Sequence, residues 1–313
     1  MTMKIRTIAL TWVLAAFVTM SAAADSFPPV TIEKINDRVY AMLGPYDVPN
    51  KQNRGYINNV LVVIGDDGVI LVDAGSHRAV ARHIDRAIKT VTDKPITHIL
   101  VTHHHSDHHL GAEYFTGARV RGTEFCADQI TNYERSMVRG MQRLSGVDLS
   151  GVNAIVPEAA IGNPSHRSMV INGVRVELVA PETAHTKGDL MVWLPDDNVL
   201  ASGDILVNRV NPNFNDGSLK SLIGVVNEEI LSLDFNAVMP GHGPLMKRED
   251  VTLFRDLITD FYQTVEKIYL ADGMESDVRK NLDLATWQSY TRFDDMMGRN
   301  INKVWLEVEE ANF

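Results

Sequence analysis

A cluster of histidines and one aspartate near the middle of the chain is the feature best suited to chemistry. The stretch over residues 102–109 reads Thr-His-His-His-Ser-Asp-His-His. Residues two apart in an extended segment point the same way, so His103 and His105 can bind one metal ion together. Asp107 and His108 follow where the chain is predicted to turn into a helix. They should therefore face a neighbouring point, suited to a second ion.

Three further candidate ligands lie near the ends of predicted strands. His185 follows a predicted strand, Asp204 directly follows the one predicted over residues 199–201, and His242 stands between two glycines. Imidazole and carboxylate groups are good ligands for zinc and similar transition metals, and each ion needs more than two of them. The sequence therefore predicts a metal site of seven side chains: His103, His105, Asp107, His108, His185, Asp204 and His242.

The elements that must position these residues follow from the apolar pattern of the first half. Apolar runs over residues 60–64 and 69–73 flank a Gly-Asp-Asp-Gly segment, which predicts a hairpin. The spacing over residues 76–90 predicts an amphipathic helix. Another apolar strand, predicted over residues 96–101, ends at the histidine cluster.

The second half alternates in the same way and ends in helices. Hairpins are predicted over residues 170–179 and 190–201, followed by a helix over 219–231 and a short strand over 237–239. Helices are then predicted over residues 251–270, 275–290 and 300–310. Strand–helix units mixed with hairpins predict an α/β fold in which helices cover sheets with parallel and antiparallel pairs. With no repeat or linker, residues 25–313 are interpreted as one domain with a helical C-terminal extension from about residue 249.

The N-terminal residues have the pattern of an export signal. Lys4 and Arg6 precede an apolar run over residues 8–20, and small residues end at Ala24. This predicts a signal peptide over residues 1–24 and a periplasmic or secreted protein. The apolar run is short for a membrane span of about 20 residues, so no stable membrane insertion is expected after cleavage. Cys126 is the only cysteine, which excludes an intrachain disulfide and fits a bacterial periplasm.

Charge indicates the class of partner. The formal net charge is -10, so nothing predicts the basic face that nucleic-acid binders use. A small-molecule substrate is expected instead, and an anionic one is not excluded because metal ions reverse the local field. The sequence does not determine the oligomeric state.

The histidine motif, the later ligands and their Gly-rich settings resemble the metallo-β-lactamase superfamily from about residue 30 to 246. The resemblance implies a four-layer αββα sandwich with a metal site at one edge. It also divides the seven ligands between two ions: His103, His105 and His185 for the first, Asp107, His108 and His242 for the second, and Asp204 for both. Asp73 matches the strand-end aspartate near the family's site and is expected to support a ligand.

The residue at position 204 favours particular branches of that superfamily. Many true zinc β-lactamases carry Cys or Ser there, whereas a bridging aspartate is similar to the glyoxalase II, lactonase and broader hydrolase branches. Segments around residues 73–108, 216–218 and 240–244 are also similar to exported metallohydrolases found beside quinoprotein or sulfur-oxidation systems. Activity on β-lactams stays open as a side reaction.

These features together predict a metal-dependent hydrolase. Two zinc ions, with iron or manganese as alternatives, would share a bridging hydroxide that attacks an ester, thioester or lactone carbonyl. Asp107 is the predicted catalytic residue, orienting the nucleophile or relaying its proton. Two other classes stay open: a mono-iron sulfur dioxygenase on the same fold, and a non-catalytic metal-binding partner protein.

Overall fold

The computed structural model describes residues 27–313. The predicted signal peptide therefore lies outside the described residues and stays a prediction. Within the described part, no helix is long and apolar enough to cross a membrane.

Seven strands form the first sheet and lie in it in chain order. The sheet contains β1 (Thr31–Lys34), β2 (Val39–Leu43), β3 (Val60–Ile64), β4 (Val69–Val72), β5 (Ile96–Leu100), β6 (Arg119–Thr123) and β7 (Glu158–Ile161). Neighbours from β1 to β4 are antiparallel, and neighbours from β4 to β7 are parallel. The parallel half brings the carboxyl ends of β4 and β5 to the same edge.

Five strands form the second sheet, in the order β12-β11-β10-β9-β8. They are β8 (Ser165–Ile171), β9 (Val174–Ala180), β10 (Met191–Leu194), β11 (Val199–Val207) and β12 (Ala237–His242). Only β11 and β12 pair in parallel. Between β8 and β9, Asn172 and Gly173 have φ angles of 48° and 77°, as a two-residue type I′ turn requires.

Helices cover the outer faces of both sheets. They are α1 (Arg78–Ile88), α2 (Ser106–His109), α3 (Glu124–Ser145), α4 (Leu219–Val225), α5 (Arg248–Leu270), α6 (Glu275–Asn281), α7 (Leu284–Ser289) and α8 (Phe293–Ala311). One apolar cluster joins the facing sides of the two sheets, a second lies between the first sheet, α1 and α3, and a third lies between the second sheet and the C-terminal helices. This order of layers confirms the predicted αββα class with extra C-terminal helices.

Several predicted boundaries were wrong, and two of them concern the site. Strand β11 does not end at residue 201 but continues to Val207, so Asp204 lies within it rather than after it. Its pairing with β12 shifts on both sides of Gly203, which has a φ of 54°, and this irregularity lets the strand continue. Strand β12 likewise continues past Pro240, and His242 is its last residue.

Three elements in the region of residues 116–165, the strands β6 and β7 and the helix α3, were not predicted. Strands β6 and β7 are short, and their exposed positions weaken the apolar pattern. The 22-residue α3 has only four buried residues, so its apolar stripe is thin. The helix predicted over residues 275–290 is divided into α6 and α7 around Asp283, whose side chain caps α7.

Candidate metal centre

The seven predicted ligands are brought together where both sheets present strand ends to the same edge. His103 and His105 follow β5, and Asp107 and His108 lie on α2. The backbone N–H of Leu190 donates to the Thr102 carbonyl at 2.7 Å, which ties the histidine segment to the second sheet. Within each of two groups, one potential ligand atom from every residue lies within 4.8 Å of the others: His103, His105, His185 and Asp204 in the first, and Asp107, His108 and His242 in the second.

Three imidazoles surround the centre of the first group. The ring centroids of His103, His105 and His185 are 4.6 to 4.9 Å apart, and the rings are close to perpendicular. His105 Nδ1 lies 3.1 Å from His185 Nε2. The three rings therefore direct nitrogen atoms at one small volume, which is the arrangement that a tetrahedral metal ion needs.

Asp204 lies between the two groups. Its Oδ2 is 3.7 Å from His185 Nε2 in the first group and 3.4 Å from His242 Nε2 in the second. Its Oδ1 is 3.4 Å from His108 Nε2. A Cβ at Gly241 would collide with Oδ1, so glycine at 241 is needed for this close approach. Asp204 is thus positioned to contact ions held by either group.

Asp107 completes the second group. Its Oδ2 lies 3.3 Å from His242 Nε2 and 3.4 Å from His108 Nε2. The side chain is 14% exposed, and it lines the cleft above the site. Asp107 can therefore reach both the other members of this group and a molecule in the cleft.

Each histidine has a partner for the nitrogen that faces away from the centre. These contacts join His103 Nδ1 to Thr102 Oγ1 (3.0 Å), His105 Nε2 to Asp216 Oδ2 (2.9 Å), His108 Nδ1 to Asp73 Oδ2 (2.8 Å), His185 Nδ1 to the Asn213 carbonyl (3.1 Å), and His242 Nδ1 to the Ile57 carbonyl (3.0 Å). A carbonyl only accepts, so His185 and His242 must carry Nδ1–H and direct Nε2 inward. Such outer contacts orient metal-ligating histidines.

Several buried nitrogen and oxygen atoms that face the centre of the site have no hydrogen-bond partner among the described residues, as is expected of atoms that bind a metal ion. Among residues 27–313, the buried atoms His103 Nε2, His108 Nε2 and Asp204 Oδ1 have no hydrogen-bond partner. An unpaired buried polar group costs roughly 1–3 kcal/mol, so three of them at one point need another explanation. All three are zinc-type donors, and the donor set therefore fits a transition-metal ion.

Two imidazoles of the first group are in the neutral form that binds a metal ion. Burial lowers the pKa of His103 well below its ordinary value, and the neighbouring imidazoles lower that pKa further. Burial also lowers the pKa of His185 to about 3. Both rings are therefore neutral near pH 7, the form in which imidazole binds a metal.

In the second group, carboxylates and imidazoles hold one another in charged forms. Burial opposes charging of His108 and His242, but the nearby aspartates raise the pKa of His108 well above its ordinary value and the pKa of His242 to about 9. Burial also favours neutral Asp107 and Asp204, yet the same imidazoles lower the pKa of both carboxyl groups. The carboxylates are thus ionised and ready to bind a cation.

Asp73 supports the site from behind. It is fully buried at the end of β4, and it accepts hydrogen bonds from the Thr102 N–H and hydroxyl at 2.9 Å each, besides its contact with His108. Its φ of 66° lies in the left-handed region, which aspartate adopts more readily than most residues. The structure thus places Asp73 where it can fix both the histidine segment and the His108 ring.

Replacing Asp73 with Ala is expected to destabilise the protein by about 3 kcal/mol, because buried donors of Thr102 and His108 lose their acceptor. Zinc affinity should also fall by about 10- to 100-fold. Asp73→Asn is the matched variant, since it keeps the size of the side chain and, through Oδ1, the acceptor for the Thr102 N–H. Its amide NH2 in place of Oδ2 cannot accept from the Thr102 hydroxyl or from His108. Urea unfolding and competitive zinc titration would measure both effects. An Asp73→Ala protein with wild-type stability and zinc affinity would refute this supporting role.

The site opens into a cleft of about 390 Å³. Four of its lining residues belong to the two groups: His105, Asp107, Asp204 and His242. Three more, Ile57, Asn213 and Asp216, contact histidines of the first or second group. Two loops contribute to its wall: residues 44–59 supply Pro49 and Ile57, and residues 207–216 supply Asn213 and Asp216. Tyr56 of the first loop is buried instead and donates its hydroxyl hydrogen to the Leu43 carbonyl.

Sequence reasoning did not identify three contributions to the site. The contact of Asp216 with His105, the α3 wall and Arg292 all come from segments distant in sequence from the histidine motif. Only Asp216 had a signal, since it lies in a segment that resembled family members. His104 also lines the cleft, whereas His109 is buried behind it.

The family of the chain follows from comparison with known proteins. Residues 53–242, more than half of the chain, match the family model described as the metallo-beta-lactamase superfamily. The chain belongs to this superfamily and is one of its metallohydrolases. The finer assignment to a glyoxalase II-like branch stays a prediction.

The relatives that this chain resembles are named for different activities. The chain is 25% identical over 203 residues to a type 2 metallo-beta-lactamase from Bacillus sp. (strain 170), covering 60% of this chain and 70% of that protein. It is 26% identical over 218 residues to the 2,4-dinitroanisole O-demethylase subunit alpha from Nocardioides sp. (strain JS1661), covering 69% of this chain but only 58% of that relative. Membership of the superfamily therefore does not identify a substrate.

Solved structures share the fold at low sequence identity. A metallo-beta-lactamase from Pontibacter korlensis superposes with a TM-score of 0.58 at 19% identity, covering 74% of this chain and 99% of that one. The stereoselective inverting sec-alkylsulfatase from Pseudomonas sp. superposes with a TM-score of 0.68 at 15% identity, covering 89% of this chain and 50% of that one. These likenesses establish the fold alone.

Proposed function

We propose that this chain is an exported hydrolase that holds two metal ions, with zinc as the expected metal, and cleaves an ester, thioester or lactone carbonyl of a small molecule. The observation that carries the proposal is the pair of donor groups, each within 4.8 Å, with Asp204 in contact distance of both. A pair of donor groups sharing one carboxylate supports two ions better than one. Zinc or a similar ion bound there would supply a Lewis acid and a water molecule whose pKa is lowered to about 7.

The residues of this chain supply the remaining functions. Asp107 lines the cleft with an ionised carboxylate, so it can orient an attacking water molecule and accept its proton. The His242 and His108 rings hold Asp107 Oδ2, while Asp216 and Asp73 hold rings on the far side of the site. These contacts leave little freedom for the groups that must act together, which is the pre-organisation that catalysis requires.

Two further features support the finer parts of the proposal. An aspartate at position 204, where many zinc β-lactamases carry Cys or Ser, favours a carbonyl substrate other than a β-lactam. The basic, apolar and small-residue pattern over residues 1–24 supports export to the periplasm.

A hydrolysis panel with metal removal tests the proposal. Purified protein is assayed on a thioester, a lactone, an ester and a β-lactam, first as prepared, then after dialysis against a chelator, and finally after zinc or iron is returned. We expect turnover of at least one non-β-lactam carbonyl, its loss on chelation and its recovery with zinc.

Three results of the panel would contradict the proposal. Hydrolysis that survives complete metal removal would exclude the metal centre as its source. Tightly bound metal without turnover of any substrate would favour the non-catalytic binding protein. Recovery of an oxygen-consuming activity with iron alone would favour the dioxygenase.

A further inference from the structure

Arg292 is a cation that lines the cleft and belongs to neither group of candidate metal ligands. It lies just before α8, beyond the region that matches the superfamily, and it lines the same cleft as Asp107, Asp204 and His242. The C-terminal extension therefore adds a guanidinium group to a site whose other polar groups come from the αββα sandwich.

In the part of the chain that the structure describes, the Arg292 guanidinium has no acidic partner. Its Nε is buried without a hydrogen-bond partner, and its Nη2 donates only to the Met296 sulfur at 3.4 Å, among the contacts within residues 27–313. No carboxylate of that part of the chain lies within 4.0 Å of it. A partly buried cation is costly unless it is paired, so this arrangement points to an anion from outside the chain.

The carboxylates near Arg292 in the described chain make no ion pair with it. In the cleft, Asp107 and Asp204 contact ligand histidines, and Asp216 contacts His105 at 2.9 Å. On the outer side, Asp294 and Asp295 share a surface depression with Arg292 but make no ion pair with it within the described chain. The missing partner is therefore not supplied by a neighbouring side chain.

The backbone holds Arg292 in a defined position. The Thr291 N–H donates to the Arg209 carbonyl at 3.1 Å, and the Asn211 N–H donates back to the Thr291 carbonyl at 3.0 Å. The Asn211 side-chain amide also donates to the carbonyls of Trp287 and Thr291 at 3.0 and 2.9 Å. These bonds fasten the start of α8 to the loop after β11, the strand that carries Asp204.

Part of the cleft wall is apolar, beside the polar side chains of His104, Ser106 and Asn213. Helix α3 contributes Met137, Met141 and Leu144, and the early loop contributes Ile57. Leu144 is 46% exposed, so its side chain is accessible to a molecule in the cleft. A molecule that matches this cleft has an apolar body between these side chains and one anionic group directed at Arg292.

We propose that Arg292 binds the carboxylate of an amphipathic substrate and so selects carboxylate-bearing molecules. The inference rests on the proposed function, because it assigns a substrate class to that site. A guanidinium presents two parallel N–H groups that match the two oxygens of a carboxylate, and such bonds are among the strong ones in proteins. The anionic end is held by Arg292 while the reacting carbonyl lies at the ligand cluster.

Binding of a matched pair of probes tests the role of Arg292 without requiring turnover. Calorimetry compares 4-phenylbutyrate with its neutral amide on the zinc-loaded protein. We expect the wild type to bind the carboxylate about 10- to 100-fold more tightly than the amide, and Arg292→Met to lose that preference while binding the amide equally well. Arg292→Lys keeps the positive charge but loses the two parallel N–H groups of the guanidinium, so it should retain part of the preference for the carboxylate.

Arg299→Met is the matched control, since Arg299 is exposed on the same helix. It should leave the preference unchanged, and zinc content should be equal in all variants. Wild-type protein that does not prefer the carboxylate would overturn the inference, whatever the variants do. A preference that persists in Arg292→Met would also overturn it, because the carboxylate would then be held elsewhere, for example by zinc itself.

The outcome can be separated from that of the proposed function. An Arg292-dependent preference in a protein that hydrolyses nothing would refute hydrolysis and keep the binding site. Hydrolysis of carbonyl substrates without any carboxylate preference would support the proposed hydrolase and refute the role of Arg292.

Discussion

Replacing Asp204 with Asn is expected to lower kcat/KM by at least about 10³-fold and to lower the metal content from two ions per chain toward one or none. Asp204 is the carboxylate whose oxygens lie 3.4 to 3.7 Å from ligand atoms of both groups. The amide keeps the size of the side chain but removes its charge, so two ions would lose their shared anionic ligand. Metal analysis and steady-state kinetics on the same preparation measure the two effects.

The control for this variant is Asp196→Asn, at an exposed aspartate that pairs only with Arg175 on the surface. It should keep wild-type metal content and turnover. If Asp204→Asn binds two ions as tightly as the wild type, the shared carboxylate is not a ligand and the two-ion arrangement is wrong.

Replacing Asp107 with Ala is expected to lower kcat by about 10² to 10⁴-fold while KM stays close to that of the wild type. Asp107 is a candidate ligand that lines the cleft, and its carboxyl group is ionised because, despite its burial, the His108 and His242 rings hold its pKa well below its ordinary range. It can therefore accept a proton from water as the reaction proceeds. Loss of that acceptor affects the transition state more than the bound substrate.

Asp107→Asn and Asp128→Asn complete this comparison. The amide at 107 cannot accept the proton and should be about as impaired as alanine, whereas Asp128 is exposed on α3 and its substitution should have no effect. Metal content is measured in each variant, because a loss of the second ion would also reduce turnover. Comparable losses in kcat and in substrate binding, with metal retained, would argue against the proton-relay role of Asp107.

The grouping of several candidate ligands could be predicted because it depends on residues that are neighbours in the sequence. The alternation of His103 and His105 after an apolar strand places two rings on one side, and the turn into α2 directs Asp107 and His108 to a neighbouring point. The glycine at position 241 similarly indicates that the backbone there lies close to another group, and in the structure that group is the Asp204 side chain. In these cases the residue type and its sequence neighbours determine the direction of the side chain or how closely the backbone can approach.

The walls of the cleft could not be predicted because they depend on contacts between distant segments. Asp216 meets His105 across 111 residues of sequence, and Arg292 reaches the cleft only because Asn211 binds the start of α8. Helix α3 was overlooked because its cleft-facing methionines and leucine dilute the usual contrast between a buried and an exposed face. Propensity and periodicity describe single elements, and they do not report which elements meet.

The misplaced strand ends have a related cause. The strand predicted over residues 199–201 stopped before Gly203, but the shifted pairing on either side of Gly203 lets β11 continue to Val207. The strand predicted over residues 237–239 stopped before Pro240, yet Pro240 and His242 still pair with β11. A bulge accommodates both residues, and bulges beside a site often re-aim a side chain.

Native mass spectrometry of the purified chain, combined with elemental analysis, tests the central claim most directly. The seven-donor arrangement predicts two zinc ions per chain, both removed by a chelator together with hydrolytic activity and both restored with it. A single tightly bound iron ion in a protein without hydrolytic activity would contradict the account and move the dioxygenase to first place.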